Sequence, residues 1–488
     1  MAGNRKEVKF YFFVAVVALI VSLTCNSFTN QVAYTDSSVF QYVATEMQHG
    51  NAPYLDTFDH KGPLLYAINY LGLSISHNFG IWFIELAVLT VSILFFYRIA
   101  RLCIEPLPSF LVVVISMVPL CSYVEGGNLT EEYALPLITI SLYIFLQYFI
   151  TGRCSNWSVV WCGVCFGGVI LLRPNMIAVW IAGCLLVLVD CVRKKAFPNL
   201  FRFIGLFLLG SGICVVPFVI YLLFSGALRA AYESYILFNF MYSTSELSVE
   251  TFLNNIYSLL FKYFPLLSAF GVILFILYER TCKAFMVALS WLLSIILILI
   301  SRTMYPHYAI VLIPTAIYPI AYLFSWFLQN NILQNNINSK RIASLYLATL
   351  MFIGVIPSSN SLVKGVAHSV SQFVKMMTQE PEFDPVVRIL LEKTNPEDRI
   401  TVYGNHDEYY LLSKRMSASK YSYQLPIGNI DPSIYEEYFE DLNKVNPKVI
   451  IWPGYTSALS CKTDKMFNYI QEHGYLQDST DGRIFYLP

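Results

Sequence analysis

The chain has 488 residues, of which 56% are apolar and only 13% are charged, against a usual charged share of about 25%. This composition excludes a wholly soluble protein and indicates that most of the chain lies in lipid. Lysine plus arginine equals aspartate plus glutamate at 32 each, so the net charge favours neither nucleic acid nor another polyanion as a partner. The 11 cysteines lie mostly in apolar runs and are interpreted as packing residues rather than as a disulfide framework.

Apolar runs of about 20 residues, the length that crosses a bilayer, recur along the first three quarters of the chain. The first run follows Arg5, Lys6 and Lys9 and is longer than a signal-peptide core, so it is interpreted as a retained anchor. Eleven spans are predicted, at residues 10–29, 79–99, 106–123, 132–150, 156–172, 175–191, 203–224, 263–279, 284–301, 307–328 and 342–357.

The basic residues of the short loops predict the orientation of these spans. With the N-terminus in the cytoplasm, the inner segments hold 14 lysines and arginines, whereas the outer segments before residue 358 hold 5. An odd number of spans then places the rest of the chain outside. We therefore expect a multi-pass protein of the plasma (cytoplasmic) membrane with a cytoplasmic N-terminus and an extracytoplasmic C-terminal domain.

The C-terminal region breaks the apolar pattern, because helix-like and strand-like stretches alternate in it. The helix-like stretches are 385–393, 432–446 and 462–473, and the strand-like ones are 400–403, 449–452 and 484–487. The predicted fold class is a polytopic α-helical membrane protein with about 11 transmembrane helices and a small C-terminal α/β domain. The predicted domains are 1–357, which includes an acidic first outer loop at 30–76, and 358–488.

The first outer loop concentrates acidic residues where the chain first leaves the membrane. It holds Asp36, Glu46, Asp56 and Asp59 but a single basic residue, Lys61, which begins a Lys-Gly-Pro turn. A loop of this kind can hold carboxylates and a cation at one interface. The competing interpretation is that Asp36 caps a helix beginning near residue 37, while the other acids are solvated.

Polar residues also occupy the other predicted outer ends of the spans. They are Glu125, Glu131, Arg173, Arg302, His307 and Tyr308. A carboxylate can accept the proton of an attacking hydroxyl or bind a divalent metal, and Arg, Lys and His can stabilise negative charge on a departing phosphate. Such groups at one interface suit a reaction that holds an anionic lipid head group while a hydroxyl is activated.

Several of these segments resemble the GT-C superfamily of membrane glycosyltransferases. They are Asp36, the Gly-x-x-Pro-Tyr-x-Asp motif at 50–56, Asp-His-Lys-Gly-Pro-Leu-x-Tyr at 59–66, Thr-Glu-Glu at 130–132 and Tyr-Pro-His-Tyr at 305–308. On these motifs the chain resembles the bacterial family related to rhizobial lipopolysaccharide glycosyltransferases. It is more distantly similar to aminoarabinose transferases and protein O-mannosyltransferases.

The resemblance implies roles for individual residues. Asp36 would be the catalytic base or a metal-binding acid, Glu131 its catalytic partner, and Lys61 a contact to the phosphate of a polyprenyl-phosphate sugar. A divalent metal ion, with Asp36 and Glu131 as ligands, is the one cofactor implied. The remaining substrate-binding residues are Asp59, His60, Glu125, Arg173, Arg302, His307 and Tyr308, with Glu125 also the less favoured alternative to Glu131.

Three other features carry weaker functional interpretations. Gly-Asn-His-Asp at 404–407 spells a short metallophosphoesterase motif, but a strand end turning into a helix at 407–413 is favoured. Cys162 and Cys165 form a Cys-x-x-Cys inside a span, where packing is favoured over zinc or redox chemistry. Glu85 lies within the second predicted span, and a functional role and a structural role are equally favoured for it.

The sequence therefore predicts an enzyme that transfers a hexose or pentose from a polyprenyl-phosphate donor. The acceptor is a glycan, a glycolipid or a protein at the outer face of the bilayer, and no nucleic acid takes part. The resemblance implies direct attack by the acceptor and therefore inversion at the anomeric carbon.

The alternative function is a polyprenyl-linked glycan flippase or another secondary transporter. Transporters place their working residues near the membrane midplane, whereas these spans are nearly free of charge.

Overall fold

A computed structural model describes most of the chain as helices, with one small sheet near the C-terminus. The described residues are 2–25, 35–244, 248–261, 264–301, 305–328, 337–379, 384–456 and 458–488. The helices of the first half are α1 (Ala2–Ser22), α2 (Thr35–Gln48), α3 (Pro63–Ile75), α4 (Gly80–Ala100), α5 (Pro106–Leu120), α6 (Thr130–Thr151), α7 (Asn156–Ile170), α8 (Ala178–Arg193), α9 (Phe197–Phe224), α10 (Leu228–Ala231) and α11 (Phe238–Thr244).

The second half of the chain continues the helical pattern before the sheet begins. Its helices are α12 (Val249–Phe261), α13 (Phe264–Glu279), α14 (Cys282–Ile300), α15 (Ile313–Leu328), α16 (Ile337–Thr349), α17 (Ile356–Thr378), α18 (Pro385–Lys393), α19 (Glu408–Ser413), α20 (Ser433–Val445), α21 (Leu459–Lys462) and α22 (Lys465–Glu472). Short 3₁₀ segments lie at Pro174–Met176, Pro306–Leu312 and Ile427–Asn429, and π-helical segments at Tyr232–Leu237 and Leu350–Val355.

Several of these helices have the length and composition of membrane spans. Within the described residues, six helical stretches are long and apolar enough to cross a bilayer, and five shorter apolar helices accompany them. Each of the eleven predicted spans overlaps a helix. The prediction of a polytopic helical membrane protein is confirmed, whereas the orientation of its spans stays a prediction.

Helix α9 shows how lipid shapes this sequence. It has 28 residues, and only 6% of its most apolar window is buried inside the protein. A helix that is apolar all round is stable only in an apolar surrounding. The exposed apolar surface of α9 is therefore expected to face lipid.

Glycines bring α9 close to α7. A Cβ atom on Gly163 of α7 would lie 2.1 Å from the carbonyl oxygen of Phe207, and one on Gly210 of α9 would lie 2.0 Å from that of Val160. Neither position tolerates a side chain, so the two backbones approach as small residues allow in membrane helices.

The chain divides into two compact units, each of which is built from separate stretches of sequence. The first contains residues 1–29, 81–219 and 246–373. The second contains residues 30–80, 220–245 and 374–488, so the first outer loop and the C-terminal region belong to one unit. The predicted domain boundary between residues 357 and 358 stays a prediction.

The second unit contains a mixed four-stranded sheet in the order β1, β2, β4, β3. The strands are β1 (Ile400–Val402), β2 (Val449–Ile451), β3 (Leu476–Gln477) and β4 (Ile484–Tyr486). β1 and β2 are parallel, and β4 runs antiparallel to both of its neighbours. The C-terminal α/β prediction is confirmed, and the short edge strand β3 is an addition to the three predicted strands.

Helix α2 of the first outer loop contributes to the core beside this sheet. Tyr42 is 2% exposed and lies in the apolar cluster formed by strands β1, β2 and β4. Its hydroxyl accepts a hydrogen bond from the backbone N–H of Ser417 at 2.8 Å and donates one to Glu46. This packing explains why residues far apart in sequence fold as one unit.

The acids of the first outer loop divide into buried and exposed pairs. Glu46 is 4% exposed and Asp59 is 2% exposed, so the interpretation of these two as solvated acids is wrong. Asp36 and Asp56 are exposed. Helix α2 begins at Thr35, so Asp36 lies in the first turn of the helix and not at a cap before residue 37.

Candidate active site

Glu131 and Arg173 form a buried ion pair in the first unit. Glu131 lies in the first turn of α6, and Arg173 stands between α7 and the 3₁₀ turn that precedes α8. The Nη1 atom of Arg173 donates to Oε1 of Glu131 at 2.6 Å, and the side chains are 18% and 3% exposed. Thr130 donates to the second oxygen, Oε2, at 2.7 Å. Both carboxylate oxygens of Glu131 therefore have a partner.

Tyr308 and Ser301 fix the other edge of the Arg173 guanidinium. Nη2 donates to the Tyr308 hydroxyl at 2.9 Å and to Ser301 Oγ at 3.3 Å. The guanidinium carbon lies 4.3 Å from the centroid of the Tyr308 ring, a cation–π arrangement that favours arginine over lysine. We call Glu131, Arg173, Ser301 and Tyr308 the arginine cluster.

His307, next to Tyr308 in the chain, pairs with a second acid of the same unit. Its Nδ1 atom lies 2.6 Å from Oε2 of Glu125. His307 is 7% exposed, and its ring stacks on that of Tyr305 with centroids 5.4 Å apart. The backbone of Glu125 has a φ of 42°, a left-handed conformation that places this acid at a sharp bend. The structure thus brings five predicted site residues together in the first unit, and they are Glu125, Glu131, Arg173, His307 and Tyr308.

A second group surrounds Asp59 in the other unit. Oδ1 of Asp59 accepts hydrogen bonds from the Tyr423 hydroxyl at 2.8 Å and the backbone N–H of His60 at 2.7 Å, and Oδ2 accepts one from the Tyr66 hydroxyl at 2.9 Å. The Nζ atom of Lys61 lies 3.1 Å from Nε2 of His60. Because an ammonium only donates, Nε2 accepts and the ring proton is on Nδ1. We call Asp59, His60, Lys61 and Tyr423 the lysine cluster.

Burial controls the acidity of this cluster. Removal from water raises the pKa of Asp59 above its usual value, although the Lys61 ammonium and the hydrogen bonds from Tyr423 and His60 oppose the rise. Burial also raises the pKa of Tyr423 well above its usual value, helped by the charges of Asp59 and Asp36. Asp59 is therefore suited to orient His60 and Lys61 rather than to contact a substrate itself.

Asp36 differs from Asp59 of the same unit because its side chain is exposed. It lies in the first turn of α2, where the helix dipole stabilises a carboxylate. An exposed carboxyl group is accessible to an incoming hydroxyl. Arg302, which the sequence analysis placed with the phosphate contacts, lies outside the described residues.

Sequence reasoning missed the side chains that hold these clusters. Tyr423 is 364 residues from Asp59 along the chain, and neither Tyr423 nor Ser301 belongs to a motif. Asn175, which donates to Ser301 at 2.8 Å, lies two residues after Arg173 among the polar residues that follow the fifth predicted span. Proximity to a predicted site residue was the available signal, and it applied to Asn175 and to Ser301, which directly precedes Arg302.

The Gly-Asn-His-Asp segment follows β1 and ends where α19 begins, which confirms the prediction of a strand end turning into a helix. Asp407 is fully buried, and burial raises the pKa of its carboxyl to about 8. The folded unit therefore keeps a proton there that the unfolded chain releases near pH 4. The contribution of Asp407 to stability falls as the pH rises from about 4 to 8. Cys162 and Cys165 are buried free thiols in α7.

Solved structures share this fold. The crystal structure of ArnT from Cupriavidus metallidurans bound to undecaprenyl phosphate matches with a TM-score of 0.60 over 97% of both chains, at 14% sequence identity. The apo form of the same protein matches with a TM-score of 0.58 over 99% of this chain and 98% of that chain, at 15% identity. The chain therefore has an ArnT-like fold, and at this identity the likeness extends to the fold alone.

A more distant match has too low a score to support an argument. The oligosaccharyltransferase of Archaeoglobus fulgidus in the apo form gives a TM-score of 0.48 over 90% of this chain and 69% of that chain, at 13% identity.

No curated protein matches the sequence. A sequence family model, described as the competence-induced protein Ccs4 N-terminal domain, matches residues 4–372. Since that match covers most of the chain, the protein belongs to the Ccs4 N-terminal domain family.

Proposed function

We propose that this protein is a glycosyltransferase that takes a sugar from a polyprenyl-phosphate carrier and gives it to a glycan, glycolipid or protein acceptor. The arginine cluster is the observation that carries the proposal. It holds the half-buried Arg173 guanidinium in one orientation against Glu131 and Tyr308, and the Tyr308 ring contacts His307. The fold is shared with a protein crystallised with undecaprenyl phosphate. A closer relation to the rhizobial lipopolysaccharide glycosyltransferases is part of the same proposal.

The chemistry of the arginine cluster suits a lipid phosphate. A guanidinium binds phosphate oxygens through two parallel hydrogen bonds and is more weakly hydrated than an ammonium. Glu131 balances the charge of Arg173, which makes the buried cation tolerable while no anion is bound. His307 adds a second positive charge when its ring is protonated.

The proposed reaction forms one bond and breaks one bond. The acceptor hydroxyl oxygen bonds to the anomeric carbon, and its proton passes to the Asp36 carboxylate. The bond from that carbon to the phosphate oxygen breaks, and its electron pair stays on the phosphate. Cationic side chains stabilise the resulting charge, which is the role that the sequence motifs predict for Lys61, Arg173 and His307. Attack on the side opposite the leaving group inverts the anomeric carbon.

Metal binding by Asp36 and Glu131 stays a prediction. Both oxygens of Glu131 already accept hydrogen bonds, one of them from a guanidinium. A cation at this carboxylate would have to displace Arg173 or share the oxygen with it. The proposed reaction therefore uses no metal at this position.

Transfer by the purified protein in lipid tests the proposal. A panel of radiolabelled polyprenyl-phosphate sugars is offered with total cell-envelope glycolipid as the acceptor, and the Asp36→Asn variant is run beside wild type. Label that moves only with wild type would establish the enzyme class and the donor. Label that stays on every carrier, with folded protein, would contradict it. Scrambling of the same lipids between leaflets would then favour the flippase.

Replacement of Lys61 by alanine is expected to weaken donor binding by about 10- to 100-fold, because one charge-assisted hydrogen bond to the phosphate is lost. The measurement is the dissociation constant of the lipid-phosphate donor. Lys420→Ala is the matched control, since Lys420 lies in the same unit, is 35% exposed and pairs with Glu437. If Lys61→Ala binds the donor as tightly as Lys420→Ala, Lys61 does not contact the donor.

The predicted orientation can be tested with one engineered and one native cysteine. Gln48 is exposed at the end of α2 on the predicted outside, and Cys282 is exposed at the start of α14 on the predicted inside. In intact cells, a membrane-impermeant maleimide is expected to label Gln48→Cys while Cys282 reacts only after lysis. The reverse pattern would invert the orientation and place the proposed transfer on the cytoplasmic face.

A further inference from the structure

A buried thiol and two buried carboxyl groups meet at one end of three helices of the first unit. Cys25 follows the end of α1, Glu85 lies near the start of α4, and Glu132 lies in the first turn of α6. One ligand atom of each residue lies within 4.8 Å of the other two. Cys25 and Glu85 are fully buried, and Glu132 is 1% exposed. We call these residues the thiol–carboxylate cluster.

One oxygen of this cluster has no hydrogen-bond partner. The Cys25 thiol lies 3.8 Å from Oε1 of Glu132. The other oxygen, Oε2, is buried without a hydrogen-bond partner among the described residues. A buried carboxylate without a partner is costly, and a second carboxyl group beside it adds repulsion when both are ionised. A bound cation offsets the charge of the buried carboxylate and the repulsion between the two acids.

The donor atoms indicate which cation fits. Thiolate sulfur selects zinc over magnesium and calcium, and carboxylate oxygen is also an ordinary zinc ligand. The Cys25 sulfur and the Glu132 oxygen are 3.8 Å apart. One ion at about 2.3 Å from sulfur and about 2.0 Å from oxygen spans that separation at an angle of about 124°, which is wider than the tetrahedral angle.

The loop before α6 closes over the cluster and leaves no room for another side chain. Gly127 has a φ of +79°, and a Cβ atom there would lie 2.3 Å from Oε1 of Glu85 and 2.9 Å from Cβ of Cys25. The next residue, Asn128, donates its backbone N–H to Oε1 of Glu85 at 2.5 Å. Glycine at position 127 therefore lets the backbone orient one of the carboxyl groups.

We propose that Cys25, Glu85 and Glu132 bind one zinc ion. The ion joins the ends of α1, α4 and α6 and stabilises the first turn of α6, which also carries Glu131. It is a structural site that touches no substrate, and the proposal does not depend on the proposed transfer reaction. The cluster uses residues that the resemblance to glycosyltransferases did not assign.

Metal content of the full-length protein tests this proposal. Wild-type protein and variants are incubated with Zn²⁺, passed through a desalting column and analysed for zinc per chain. Cys25→Ser and Glu132→Gln are each expected to contain one equivalent less than wild type. Cys165→Ser is the matched control because it removes another buried thiol from the same unit, and it is expected to keep the wild-type content.

Cadmium provides a second readout that does not require every variant to fold. Addition of Cd²⁺ to wild-type protein is expected to produce the ultraviolet charge-transfer band of a thiolate–cadmium bond, and Cys165→Ser is expected to give the same band. Wild-type protein that binds neither Zn²⁺ nor Cd²⁺ would overturn the proposal. Equal zinc content in wild type, Cys25→Ser and Glu132→Gln would overturn it as well.

Discussion

Replacement of Asp36 by asparagine is expected to slow sugar transfer by about 10²- to 10⁴-fold, which is the usual contribution of a general base. The amide keeps the size of the side chain but cannot accept the proton of the acceptor hydroxyl at neutral pH. Asp36 is exposed in the first turn of α2, so its packing is not disturbed. Loss of the helix-dipole interaction costs at most about 1 kcal/mol. Single-turnover rates at saturating donor measure the effect.

Glu250→Gln is the matched control for Asp36→Asn. Glu250 is also an exposed carboxylate in the first turn of a helix, α12, so both variants lose the same kind of helix-dipole interaction. We expect Glu250→Gln to keep the wild-type rate and both proteins to melt within a few degrees of wild type. Wild-type turnover by Asp36→Asn would exclude this residue as the base.

The helical membrane fold could be predicted because lipid imposes a simple pattern on sequence. Apolar runs of bilayer length are long and continuous, so each predicted span overlaps a helix, even where the ends shift by several residues. The α/β pattern of residues 385–487 was visible for a similar reason, since buried strands such as 449–451 are short apolar runs between polar helices.

The grouping of site residues depended on contacts that no local pattern encodes. The sequence marked Lys61 and Arg173 as charged residues near the ends of spans, which is a local property. It did not indicate that Tyr423 holds Asp59 or that Ser301 holds Arg173, because those partners are ordinary polar residues far away in the chain. Burial of Glu46 and Asp59 in a polar loop was missed for the same reason.

Glu132 is the clearest case of a side chain whose partner the sequence does not reveal. It is adjacent to Glu131 in the Thr-Glu-Glu motif, and the sequence analysis assigned a role to Glu131 alone. Their side chains have different partners, since Glu131 pairs with Arg173 and Glu132 lies beside Cys25. Consecutive residues in a helix point about 100° apart, so one motif supplies two separate sites.

Replacement of Arg173 by methionine is expected to lower the stability of the protein and to slow transfer. It leaves the Glu131 carboxylate buried without its cation, and breaking a buried ion pair in this way costs about 3–5 kcal/mol. Loss of one group that stabilises charge in the transition state slows a reaction by about 10²- to 10³-fold. The melting temperature in detergent and the transfer rate measure the two effects.

The double variant Arg173→Met/Glu131→Leu separates these effects. Replacing both members of a buried pair by apolar residues is neutral or stabilising, so the melting temperature is expected to recover, whereas transfer stays lost because the phosphate contact is gone. Lys283→Met/Glu279→Leu is the control, since that pair is 2.6 Å apart and 23% and 15% exposed, and it should keep full transfer. Recovery of transfer in the Arg173 double variant would show that the arginine cluster only supports the fold, because no cation would then remain at that position to bind the phosphate.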